Sequence, residues 1–221
     1  MYEKALKFIP LTFAALLPII NPVGTALILL NIVGRAPPAV FRKLAWRIAL
    51  SMLVFIGLIE IFGAMLLKFF GISLPVLQVS GGLTLAAMGW SMLNAKEESE
   101  TEAASVDHNV KSLMGKVFYP LMFPLTVGPG AIVVVITLSA HASDHGWQQR
   151  MLSHGAIFVA AALVAVLVYL CYAYAPRLSR LIPESVARGI QRLVSFILLC
   201  IGVQIAWGGL DSLLGTLLPA H

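Results

Sequence analysis

The chain has 221 residues, 59% of them hydrophobic and 11% charged, with a mean hydropathy of +0.92 and a formal net charge of +5. Soluble domains carry charge on about a quarter of their residues, so composition excludes an ordinary water-soluble fold and predicts a polytopic membrane protein. The positive balance is not a nucleic-acid signature, because Lys and Arg stand at the ends of apolar segments and not on one face interleaved with aromatics.

Charges bound six apolar segments, and a membrane span needs about 20 apolar residues. The first lies between Lys7 and Arg35. Lys4 and Lys7 ahead of it suggest a secretory signal, but its length and the five spans that follow predict that it is retained. The second covers about 44–67 and holds one acid, Glu60. The third begins after the turn-forming Gly71 and Pro75 and ends near Asn94. A polar loop over 95–116 carries Glu97, Glu98, Glu100, Glu102 and Asp107, five of the ten acids, and reads as solvated. The fourth span covers 117–140, and His141, Asp144, His145 and Arg150 follow it. The fifth runs over about 153–175, and Arg177, Arg180, Arg188 and Arg192 lead into the sixth, about 193–210. The first, third and fifth loops together hold eleven Lys and Arg, against four for the termini and the other loops. Positive charge gathers on the cytosolic side, which predicts that both termini face outward.

Two spans are interrupted. Residues 120–130 contain Pro120, Pro124, Pro129, Gly128 and Gly130, and residues 18–24 contain Pro18, Pro22 and Gly24. Prolines remove donors and clash with the preceding turn, so no undisturbed helix passes through either stretch. In a bilayer, broken backbone survives only where protein buries it or a watery cavity meets it. The two stretches are therefore read as one binding site built from Asn21, Pro22, Gly24, Thr25, Thr126, Gly128 and Gly130. A helix starts just after each break, and its partial positive charge and free N–H groups suit a carboxylate. Asn21, Thr126 and freed carbonyls suit an ammonium. Asn21 and Thr126 have an alternative role, satisfying backbone groups that the prolines free.

The interruptions fall in spans one and four, so the chain divides into two halves of three spans. Gln78 and Gly89 recur as Gln191 and Gly202, both displaced by 113 positions, and Asn21-Pro22-Val23-Gly24 lies against Gly128-Pro129-Gly130 with an offset near 107. Three is odd, so such a repeat reverses its orientation in the membrane. The expected fold is all-α, with six transmembrane helices as two inverted three-helix repeats and helices one and four broken mid-membrane. One transmembrane domain spans 1–221, with repeats at about 8–94 and 117–211. Gly81-Gly82 and Gly208-Gly209 are read as close helix contacts.

Glu60 is an ionisable group inside a span, a functional hypothesis by default, and is the candidate for a coupling proton. Its bland alternatives are a pairing with Lys68 two turns on, through water, and snorkelling toward an interface. His141, His145 and His154 read as solvated loop residues, and Cys171 and Cys200 as packing residues. No metal or cofactor is expected. Neither HExxH nor GxSxG occurs, and a membrane-embedded enzyme is the least favoured class.

The residues also resemble the MarC family of bacterial membrane proteins, which includes the SnatA neutral amino acid transporters. The likeness rests on Asn21-Pro22-Val23-Gly24, Phe70-Gly71-Ile72-Ser73, Ser80-Gly81-Gly82, Pro120-Leu121, Pro124-Leu125-Thr126, Gly128-Pro129-Gly130, Arg192-Leu193 and Gly202-Val203-Gln204. It implies six spans in the inner membrane, so that the outward-facing termini are periplasmic, and for some members the uptake or export of glycine, alanine and similar amino acids. The expected partners are that substrate and the lipid bilayer, with no nucleic acid, and export of drugs or other metabolites is the alternative. Ser195 departs from the family's glycine, and Glu60 is not part of its pattern.

Overall fold

The computed structural model describes residues 7–34, 36–95, 110–143 and 147–217, and these are helical with no strand among them. Helices α1 (Phe8–Ile20) and α2 (Pro22–Val33) form the first span, followed by α3 (Pro38–Phe69), α4 (Leu74–Leu93) and the short α5 (Val110–Gly115). A wide-turned segment, Val117–Thr126, precedes α6 (Pro129–Ser143). Then come α7 (Trp147–Ala173), α8 (Ala175–Leu181) and α9 (Glu184–Leu217).

Five stretches are long and apolar enough to cross a membrane: Phe8–Val33, Pro38–Phe69, Leu74–Leu93, Arg150–Ala173 and Ser185–Gly215. The pair Val117–Thr126 and Pro129–Ala140, bent by 70°, makes a sixth if it is one span. Helices α3 and α9 outrun the expected spans 44–67 and 193–210. Hydropathy marks the hydrocarbon thickness, whereas Arg42, Lys43, Arg47, Arg188 and Arg192 are good helix formers that carry the helices beyond it. Most of the acidic loop lies outside the described residues, as do Asp144 and His145.

Local chemistry explains both irregular places. A residue before proline is pushed out of the right-handed helical region. Asn21, ahead of Pro22, takes φ 45° and ψ 64°, a left-handed conformation that asparagine tolerates better than most residues. Tyr119 and Phe123, ahead of Pro120 and Pro124, are extended at φ −124° and −115°.

Helix α7 is the most enclosed span. Half of its apolar window is buried, against 28% for those of α3, α4 and α9, so α7 forms the centre of the bundle. Its Ile157, Ala161, Val164 and Val168 join Leu16 and Ile20 of α1 and Ile48, Met52 and Ile56 of α3 inside the bundle. Large apolar side chains such as Ile61, Phe69 and Trp207 face outward, as they do toward lipid.

Helices α4 and α9 meet backbone to backbone. A Cβ on Gly202 would stand 2.7 Å from the carbonyl oxygen of Gly82, and one on Gly89 would stand 2.8 Å from that of Ser195. Without bulky side chains, van der Waals contact between the backbones drives such association in a membrane. Gly202→Ala is expected to destabilise the protein by about 1–3 kcal/mol, because neither backbone yields to the added methyl. Gly208→Ala is the control, since nothing lies within 4 Å of its added carbon. Melting temperatures of the two variants in detergent check this, and equal values would refute it.

Candidate functional site

Asn21 holds the first break together. Its left-handed backbone ends α1, and its Oδ1 caps α2 by accepting from the Gly24 amide at 3.2 Å. Its Nδ2 donates to Oε1 of Gln191 on α9 at 3.1 Å. Gly24 lies against that bond: an added Cβ would stand 2.7 Å from Oε1 of Gln191. Pro22 is buried at the start of α2. Thr25, also buried, donates from its hydroxyl to the Asn21 carbonyl at 2.8 Å.

At the second break Thr126 donates to the carbonyl of Leu121 at 2.7 Å, and its Oγ1 lies 2.8 Å from the hydroxyl of Tyr172 on α7. Tyr172 is fully buried, and the buried side chain of Thr25 lies close to its hydroxyl. One tyrosine thus joins the two interrupted elements. Sequence reasoning did not single it out, because a tyrosine near the end of a span is an ordinary feature of membrane helices. Thr25 and Thr126 meet through this shared partner. Asn21 turns to Gln191 instead, Gly130 packs on Leu85 of α4, and Gly128 lies by the Pro124 carbonyl and Met88.

Hydrogen counting defines the chemistry. Both threonine hydroxyls donate to main-chain carbonyls, which leaves the hydroxyl hydrogen of Tyr172 for Thr126. The cluster has more acceptors than hydrogens and favours a donor-rich group. Thr126 and Tyr172 are enclosed, so the cluster is closed to solvent in this conformation.

Glu60 lies apart from this cluster. Its Oε1 is 3.1 Å from Nδ1 of His154 on α7, and Ser139 of α6 donates to its main-chain oxygen at 3.2 Å. His154, not Lys68, is therefore its partner. The histidine is 23% exposed and belongs to the bundle, whereas the side chains of His141 and His145 lie outside the described residues.

A bundle of long apolar helices, with two proline-interrupted elements and a buried hydroxyl cluster, defines an integral membrane protein with polar groups enclosed among its spans. The chain belongs to the MarC family: that family's profile, MarC family integral membrane protein, matches residues 6–214. It is 30% identical over 218 residues to the inner membrane protein MarC of Salmonella typhimurium and to that of Salmonella paratyphi B. The alignment covers 95% of this chain and 97% of each relative. The MarC protein of Escherichia coli O1:K1 is 28% identical over 217 residues, with the same coverage. No solved structure matches.

Proposed function

We propose that this protein is a secondary transporter of small neutral amino acids, of the glycine and alanine type, working by alternating access in the inner membrane with both termini periplasmic. The observation that carries the reading is the convergence of Thr25 and Thr126, from two proline-interrupted elements, on the buried hydroxyl of Tyr172. An acceptor-rich cluster suits an ammonium group, and the α2 helix start capped by Asn21 suits a carboxylate. A small zwitterion carries both.

The inverted repeat is part of the proposal, and the α4–α9 contact supports it. Gly202 approaches Gly82 and Ala86, while Gly89 approaches Ser195 and Leu199, and each residue of the second contact is displaced by 113 positions from its counterpart in the first. An interface that repeats under exchange of the two halves is what a pseudo-two-fold axis produces.

Purified protein in vesicles is expected to exchange labelled glycine or alanine. Tyr172→Phe and Thr126→Val should each slow exchange about tenfold, the equivalent of one hydrogen bond of about 1–1.5 kcal/mol. Their double variant should be little worse, since both remove the same contact. Folded protein that moves neither amino acid under any ion or pH gradient would overturn the reading. Movement of a drug or another metabolite in those vesicles would establish the exporter alternative.

A further inference from the structure

Glu60 is 8% exposed on α3, and the packed helices α6 and α7 bring Ser139 and His154 to it. Among the described residues, His154 alone lies within ion-pair distance of the carboxylate. Arg150 stands one turn before His154 on α7 and is exposed, as is Lys68, two turns beyond Glu60 on α3. On α6, the side chain of His141 is outside the described residues. A buried carboxylate and a partly exposed imidazole thus face each other across a helix interface inside the bundle, where ionisable groups mark ion and proton pathways.

We propose that Glu60 and His154 together form a binding site for a single proton that is coupled to the transport cycle, an inference that rests on the transporter reading above. Without the proton, neutral His154 donates from Nδ1 to Oε1 of Glu60, and the pair carries a net charge of −1. One proton arriving from water binds Nε2 of the imidazole, giving an imidazolium facing a carboxylate and no net charge. Passing the Nδ1 proton to Oε1 then leaves a neutral imidazole and a neutral acid, at the same total. One proton enters and no other group is consumed. Release reverses these steps.

The charge change gives the site its leverage. A pair with no net charge packs between α3 and α7 with less penalty than a pair carrying −1. Proton occupancy therefore biases whether this interface is closed. Tyr172 lies eighteen residues further along the same helix, about 27 Å by the rise of an α-helix. Helix α7 thus carries the proton site near one end and the threonine cluster near the other. A tilt of this one helix moves both, and that is the physical link between proton and substrate.

The test uses wild type, Glu60→Gln and His154→Gln in vesicles loaded with a pH-sensitive dye, with a glycine gradient as the driving force. The wild type is expected to move protons with glycine, and each variant to move at least about tenfold fewer protons per glycine. An unchanged ratio in both variants overturns the proton site. Infrared spectroscopy provides a readout independent of transport. A protonated-carboxyl band should respond to pH, disappear in Glu60→Gln and respond over a different pH range in His154→Gln. If the wild type exchanges no glycine, the transporter reading fails and the band decides the proton site: its presence with this behaviour upholds the site, and its absence overturns it. If Glu60→Gln does not fold, the changed pH range in His154→Gln carries the same decision.

Discussion

Replacing Asn21 by alanine is expected to lower the unfolding free energy by about 3–5 kcal/mol, the sum of three separable losses. Alanine pays about 1 kcal/mol or more to adopt the left-handed backbone of this position. The cap on the Gly24 amide disappears, at about 1 kcal/mol. The Gln191 amide loses its partner in a part-buried place, at about 1–3 kcal/mol. Asn21→Gly separates the first of these from the others, because glycine enters the left-handed region freely. The glycine variant should recover about 1 kcal/mol relative to the alanine variant. Unfolding in detergent measures both, and variants within about 0.5 kcal/mol of the parent would show that Asn21 does not hold the break.

His154→Leu is expected to cost about 3 kcal/mol or more, because it leaves the Glu60 carboxylate buried and without its partner. Replacing both residues by leucine should restore most of that loss, since a buried pair exchanged for well-packed apolar groups is often neutral. A double-mutant cycle isolates the coupling. Were Lys68 the true partner of Glu60, His154→Leu would leave stability nearly unchanged and the cycle would show no coupling.

Spans were the easiest feature to read from the chain, because a run of apolar residues closed by charge is a direct record of hydrocarbon thickness. The two irregular places were equally legible, since proline acts on its own neighbours and needs no tertiary context. Which helix supplies each partner was not legible. The sequence places Asn21 beside Gly24 but cannot show that its amide reaches 170 positions ahead to Gln191. Nothing in the sequence singled out Tyr172, and His154 read as a loop histidine; only the packing of α7 in the centre of the bundle turned both inward. Side-chain pairing between distant spans depends on rotation about each helix axis, and a uniformly apolar helix such as α7 carries little pattern to set that rotation.

Ser195 of α9 stands 113 positions after Gly82 of α4, and it is fully buried. Its hydroxyl turns back to donate to the Gln191 carbonyl at 2.7 Å, one turn earlier on its own helix. The side chain thereby remains with its own backbone, as serine in a membrane helix readily does. This limits which side chains the α4–α9 contact can absorb. A residue enters in place of glycine only if it is small and can satisfy its polar atom locally; valine or leucine at the same place would force the helices apart. Along this line of contact only a small residue keeps the two backbones together.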